Sequence, residues 1–123
     1  MKKILICEDE QDTQDSLKNI LQRNEYEVYS AFDGKEAIDK MKEVKPELII
    51  LDIRMPKLNG LEVAGEIRKF DKATKIIFIT AFQSPQIKQE TTKYNISDYI
   101  VKPVSGEDVL KAVEQALENS PKS

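Results

Sequence analysis

Short runs of branched apolar residues recur along the chain: Ile4 to Cys7, Val28 to Ala31, Leu48 to Leu51, Ile76 to Thr80 and Tyr99 to Val101. Several are continuous rather than alternating, as expected of strands whose two faces are both covered. Between them the apolar positions fall at helical spacing. Leu17, Ile20 and Leu21 make one stripe, Ala37, Ile38, Met41 and Val44 a second, Leu61, Ala64 and Ile67 a third, and Val109, Val113, Ala116 and Leu117 the last. Asp33 with Glu36, Asn59 with Glu62, and Ser105 with Asp108 each supply a capping side chain followed three residues later by an acid. Ser84 before Pro85 marks a further helix start, but only Ile87, Thr91 and Tyr94 offer that fourth helix an inward face, so it is weakly anchored. Strand and helix thus alternate five times. Right-handed crossovers wind such an α/β chain into a doubly wound parallel sheet of five strands with five helices on its two faces.

The length of 123 residues suits one domain, expected over residues 1–119, with 120–123 as a flexible tail or the start of a linker. Charged residues make up 33% and apolar ones 40%, a small core inside a heavily solvated shell. The 22 acids and 19 bases leave a net charge of −3, which supplies no electrostatic footprint for nucleic acid or an anionic membrane. Histidine is absent, which removes His-assisted nucleophiles, His-ligated zinc and any imidazole switch near neutral pH. Catalysis would have to run on carboxylates, hydroxyls and lysine. The lone Cys7 rules out an internal disulfide and suits a reducing, cytoplasmic setting. The apolar run before Glu8 is too short for a signal-peptide core or a membrane span.

In open sheets of this kind ligands bind beyond the carboxyl ends of the strands, where the winding reverses. Glu8 and Asp9 follow the first strand, Asp52 the third, Thr80 closes the fourth and Lys102 follows the fifth. In a flavodoxin-like order, 2-1-3-4-5, the first and third strands are neighbours, so Glu8, Asp9 and Asp52 should share one pocket. Two unit charges about 5 Å apart repel by roughly 3 kcal/mol at an effective dielectric near 20, and Lys102 alone does not balance three such pairs. Either a carboxylate pKa rises or a hard cation binds; the all-oxygen set favours the cation, Mg²⁺ or else Mn²⁺. Such an ion, with Lys102 and Thr80, would neutralise a phosphoryl group under attack by a carboxylate. Singly each of these residues reads as an ordinary turn or strand end; together, at one end of different strands, they read as a site.

The motifs KILICEDE, LDIRMPKLNG, FITA and DYIVKP, in this order and spacing, resemble the receiver domain of bacterial two-component response regulators, chemotaxis-regulator-like, from Lys2 to Leu117. The resemblance implies that Asp52 is the phosphoacceptor, taking phosphate from a phosphohistidine on a sensor histidine kinase or histidine phosphotransferase. It implies Asp9, Asp52 and the backbone carbonyl of Arg54 as Mg²⁺ ligands, with Glu8 reaching the ion through water, and Lys102 and Thr80 as phosphate contacts. The switch would be a movement of Thr80 toward the phosphate with Tyr99 turning inward, changing the face of fourth helix, fifth strand and fifth helix that controls a protein target or an output domain. Pro103 matches a position where the peptide bond is cis. Slow autodephosphorylation, and a state that is monomeric or dimerises on phosphorylation, are also implied.

Several positions depart from the family pattern. Glu8 stands where aspartate is commoner, and Val104 where phenylalanine is frequent. Ala112 replaces an arginine that serves dimer salt bridges in receivers of the winged-helix class, which puts that dimer in doubt. Arg54 and Phe82 occupy positions that in the family tune aspartyl-phosphate lifetime, which implies that their bulk would restrict attacking water. Cys7, before the acidic pair, reads as a small buried core residue. A receiver detached from a longer transcriptional regulator fits the same residues as a stand-alone one. An Mg²⁺-dependent aspartyl-phosphate phosphatase would need a second aspartate where Arg54 stands, and a flavin-binding module would need a hydroxyl-rich loop after the first strand.

Overall fold

The computed structural model describes residues 1–54, 59–81, 89 and 92–118. Its elements run β1 (Lys3–Cys7), α1 (Gln11–Arg23), β2 (Glu27–Ala31), α2 (Gly34–Val44), β3 (Leu48–Asp52), α3 (Gly60–Phe70), β4 (Lys75–Thr80), β5 (Asp98–Val101) and α4 (Gly106–Glu118). All the strands are parallel, in the order β2-β1-β3-β4-β5. The expected sheet and its order are therefore present. Four helices are found among the described residues where five were expected. The helix anticipated from Ser84 lies largely outside the described residues; of it, Gln89, Thr92 and Lys93 are described and are helical.

Every strand but β3 starts one residue before its apolar run, on Lys3, Glu27, Lys75 or Asp98, and β3 ends one residue after its run, on Asp52. The ladder is made by backbone groups, which pair whatever the side chain. Lys3 opposes Glu27, Leu48 opposes Lys75, and Ile77 opposes Asp98. The expected caps form as well. The Asp33 side chain accepts from Glu36 N at 2.8 Å, and Ser105 Oγ accepts from Asp108 N at 3.0 Å. Asn59 and Glu62 make a reciprocal capping box of 2.9 and 3.2 Å. Glu10 precedes α1 without a side-chain cap.

The period of two along the central strands divides the core. Leu5, Cys7, Ile49, Leu51, Ile76 and Phe78 face one side and pack against Ala37 and Met41 of α2 and Val63, Ala64 and Ile67 of α3. Ile4, Ile6, Leu48, Ile50, Ile77 and Ile79 face the other and pack against Leu17 and Leu21 of α1 and Val109, Val113 and Leu117 of α4. β3 is fully buried, as are β1 and β4 beyond their first residues, whereas the edge strands β2 and β5 are mainly half-buried. Arg68, near the end of α3, donates to the carbonyls of Tyr94 (2.7 Å), Asp71 (3.0 Å) and Asn95 (3.2 Å), tying that helix to the turn that leads into β5. The Tyr94 ring rests over Gly65, where an added Cβ would meet the phenol oxygen at 3.2 Å.

Candidate functional site

β1 and β3 pair side by side, with Cys7 opposite Leu51, so the residues that follow leave the sheet at one rim. Glu8, Asp9 and Asp52 each place a carboxylate oxygen there, and these atoms all lie within 4.8 Å of one another. Glu8 and Asp52 are buried and Asp9 is exposed, an arrangement with two oxygens at the floor and one at the mouth. Lys102, one residue past β5, crosses to this floor. Its Nζ lies 3.0 Å from Asp52 Oδ2, 2.9 Å from Glu8 Oε1 and 3.6 Å from Glu10 Oε1. The other oxygens are also held: Arg54 N donates to Asp52 Oδ1 at 3.0 Å, and Glu10 N donates to Glu8 Oε2 at 3.1 Å.

Burial at the floor of this cluster leaves its mark on Glu8. Burial pushes its carboxyl up to about 7, and the neighbouring Asp52 adds to this, while hydrogen bonds from Lys102 and Glu10 N oppose it. Burial alone would depress the Lys102 ammonium, but its hydrogen bonds to Glu8 and Asp52 outweigh that and hold it above the ordinary lysine value. The oxygen donors that a hard cation would need are in place. Carboxylates with room for water are a hard-cation donor set, and the cluster is compatible with a divalent metal.

The remaining expected residues lie as follows. Thr80 ends β4, is 1% exposed, and accepts from Lys102 N through its carbonyl at 2.7 Å, so its backbone helps place the lysine. Arg54 comes to the site through its backbone N–H, and its side chain is exposed. Tyr99 lies on β5 opposite Phe78, half-buried, against the α2 and α3 side of the core. Beside it, between β5 and α4, runs a groove of about 550 Å³ lined by Tyr99, Val101, Asp108, Lys111, Ala112 and Gln115 among others. The Lys102–Pro103 peptide is cis. Cys7 is fully buried, with its thiol pushed up first by burial and then by the surrounding acids, as suits a core residue rather than a reactive one. Phe82 lies outside the described residues.

Two neighbours of the acids were not anticipated. Glu10 adds a third carboxylate around Lys102. Gln14 is buried on the inner side of α1 and bonds to backbone at the end of β1. The signal for Gln14 was available, since it falls on the same helical stripe as Leu17 and Leu21, where a polar residue is out of place.

Comparison with known proteins agrees with this geometry. Residues 4–114 match the family model of the response regulator receiver domain. The chain is 37% identical to the chemotaxis protein CheY of Listeria monocytogenes over 117 residues, covering 94% of this chain and 98% of that protein. It is also 36% identical to the alkaline phosphatase synthesis transcriptional regulatory protein PhoP of Bacillus subtilis, covering 97% of this chain but 50% of that protein. Among solved structures, a CheY-like receiver domain protein from Methanospirillum hungatei superposes with a TM-score of 0.93 at 29% identity, covering 98% of this chain and 96% of that one. Similarity of this extent across the fold, and a rim that gathers the acids and lysine of the motifs, lead to one assignment: the chain belongs to the response regulator receiver domain family, whose members carry phosphorylation-dependent signals between histidine kinases and output targets.

Proposed function

We propose that Asp52 accepts a phosphoryl group from the phosphohistidine of a sensor histidine kinase or a histidine phosphotransferase. As an Asp52 oxygen bonds to phosphorus, the phosphorus–nitrogen bond of the donor breaks and the imidazole leaves on the partner, which fits a chain with no histidine of its own. The observation that carries this reading is the gathering of the Glu8, Asp9 and Asp52 oxygens within 4.8 Å, with Lys102 Nζ 3.0 Å from Asp52. Asp9, Asp52 and the Arg54 carbonyl would hold Mg²⁺, with Glu8 behind a water. When bound, the ion neutralises phosphoryl oxygens and lowers the charge that opposes attack. Lys102 supplies an ammonium to the same oxygens and Thr80 a hydroxyl. Movement of Thr80 toward the phosphate, with Tyr99 turning inward, would reshape the face formed by the segment before β5, β5 itself and α4. Residues 1–119 would make up the receiver, working in the cytoplasm.

This chain aligns with a relative of its own length and with one twice as long at nearly the same identity, 37% and 36%. A receiver that controls a separate protein and one that controls an attached output domain are both served by the same switch.

Incubation with Mg²⁺ and acetyl phosphate, followed by intact mass, tests the reading. A single phosphoryl adduct is expected, and it should vanish in Asp52→Asn. An adduct that survives this substitution would remove Asp52 from its role.

A further inference from the structure

Gln14 is 1% exposed, and its Nε2 lies 2.9 Å from Ile6 O, 2.8 Å from Ala31 O and 3.2 Å from Glu8 O. A carboxamide has two N–H bonds, so three acceptors at these distances require one N–H to be shared. Oε1 of the same side chain has no hydrogen-bond partner among the described residues. The amide is therefore oriented by its donor end, which faces the carboxyl ends of β1 and β2.

Glu8 is the first residue beyond β1, and its N–H still donates to Ala31 O at 3.1 Å. The carbonyl of Glu8, held by Gln14, belongs to the peptide unit that joins Glu8 to Asp9. That unit is planar, so holding its oxygen sets the direction in which both flanking Cα atoms launch their side chains. Gln14 itself is anchored on α1 between Leu17 and Leu21 and the first helical bond, Gln14 N to Glu10 O at 3.0 Å. One rigid helix thus grips the backbone from which two of the three clustered acids project.

We infer that Gln14 is a positioning residue for the metal-binding acids, its carboxamide holding the Glu8–Asp9 peptide against the ends of β1 and β2 so that both carboxylates reach Asp52. The inference rests on the phosphoacceptor reading above. Partners that orient metal ligands without touching the ion are worth about 10- to 100-fold in metal affinity.

Calorimetric titration with Mg²⁺ alone, on wild type, Gln14→Met and Leu17→Ala, tests it. Met keeps the length and removes the donors. Gln14→Met should bind Mg²⁺ about 10-fold more weakly, while Leu17→Ala, which opens a cavity on the same helix face, should stay within about twofold of wild type. Equal affinity in Gln14→Met and wild type overturns the inference and leaves the phosphoacceptor reading standing. An equal loss in Leu17→Ala also overturns it, by assigning the effect to loosening of α1. Wild type that takes up no Mg²⁺ overturns both readings. A second measurement needs no variant: in ¹⁵N spectra of the wild type, the Gln14 side-chain NH₂ should resist solvent exchange and shift on addition of Mg²⁺. A pair that exchanges as freely as an exposed glutamine, or is indifferent to the ion, refutes the role.

Discussion

Replacing Lys102 by methionine isolates what its charge contributes. The ammonium sits 2.9 Å from Glu8 and 3.0 Å from Asp52, with its side chain 23% exposed and the acids 1% and 4%. At about 3 Å and an effective dielectric near 20, each contact is worth roughly 5.5 kcal/mol of gross attraction, most of it offset by desolvation of the three groups. Removing one partner of a fully buried pair costs about 3–5 kcal/mol because the other charge is stranded. Here the loss is smaller, since Glu8 can take up a proton and water reaches the mouth of the site; about 2 kcal/mol is expected. For 123 residues the unfolding entropy near the midpoint is about 0.26 kcal/mol per degree, so Tm should fall by about 8 °C. Thermal melts at pH 8 in EDTA, followed by circular dichroism, measure this. Repeating them in Mg²⁺ should raise the variant's Tm by more than the wild type's, because the ion no longer shares its carboxylates with an ammonium. Adding Glu8→Gln to Lys102→Met should recover most of the loss, as the neutral amide needs no cation. An unchanged Tm in Lys102→Met, or an Mg²⁺ response no larger than that of wild type, would refute the account of the charges.

Asp9→Asn should blunt the Mg²⁺-induced rise in Tm while leaving the metal-free melt within about 0.5 kcal/mol of wild type, because Asp9 is exposed. Gly60→Ala should destabilise by about 2–3 kcal/mol in urea melts, since a Cβ there meets Asp52 O at 2.6 Å and Ile53 Cα at 2.8 Å, backbone that cannot yield. The same variant should slow phosphorylation by acetyl phosphate by displacing the end of β3. Asp71 is tilted upward by burial, but hydrogen bonds from Thr74 Oγ1, Thr74 N and Ala73 N outweigh this and hold its carboxyl below the usual aspartate range. Its folded pKa being the lower one, the stabilisation is complete above the unfolded value and disappears as pH falls through the folded value. Asp71→Asn should therefore cost about 1 kcal/mol at pH 7 and nothing at strongly acidic pH, as read from urea melts at both.

The strands and the rim residues were legible because apolar runs mark strands and the residue after each run marks the rim, while the strand order that brings Glu8, Asp9 and Asp52 together came with the flavodoxin-like fold and not from any local pattern. The caps at Asp33, Asn59 and Ser105 were legible from a local pattern, as the strands were. The charged first residues of the strands were not, because their inclusion depends on ladder partners in other strands, such as Glu27 for Lys3. The sharing of Lys102 among Glu8, Glu10 and Asp52 depends on where a long side chain settles once β5 is docked. The Arg68 contacts to Tyr94 and Asn95 span 26 and 27 positions, and a guanidinium reading backbone carbonyls leaves no trace in residue types. The expected helix from Ser84 rests on the weakest pattern of the five, and most of it lies outside the described residues.

The division of β1 between two cores has a bearing on how faithfully the rim is assembled. Leu5 and Cys7 serve one side of the sheet, Ile4 and Ile6 the other. A slip of β1 by a single position would send each of these to the wrong side and at the same stroke carry Glu8 and Asp9 away from Asp52. Misalignment that spoils the acids therefore also spoils the packing of all four helices described, so a chain stable enough to persist is one whose acids already meet. Proofreading of the rim is delegated to the oily interior, and deleting one residue within β1 should cost the fold before it costs the chemistry.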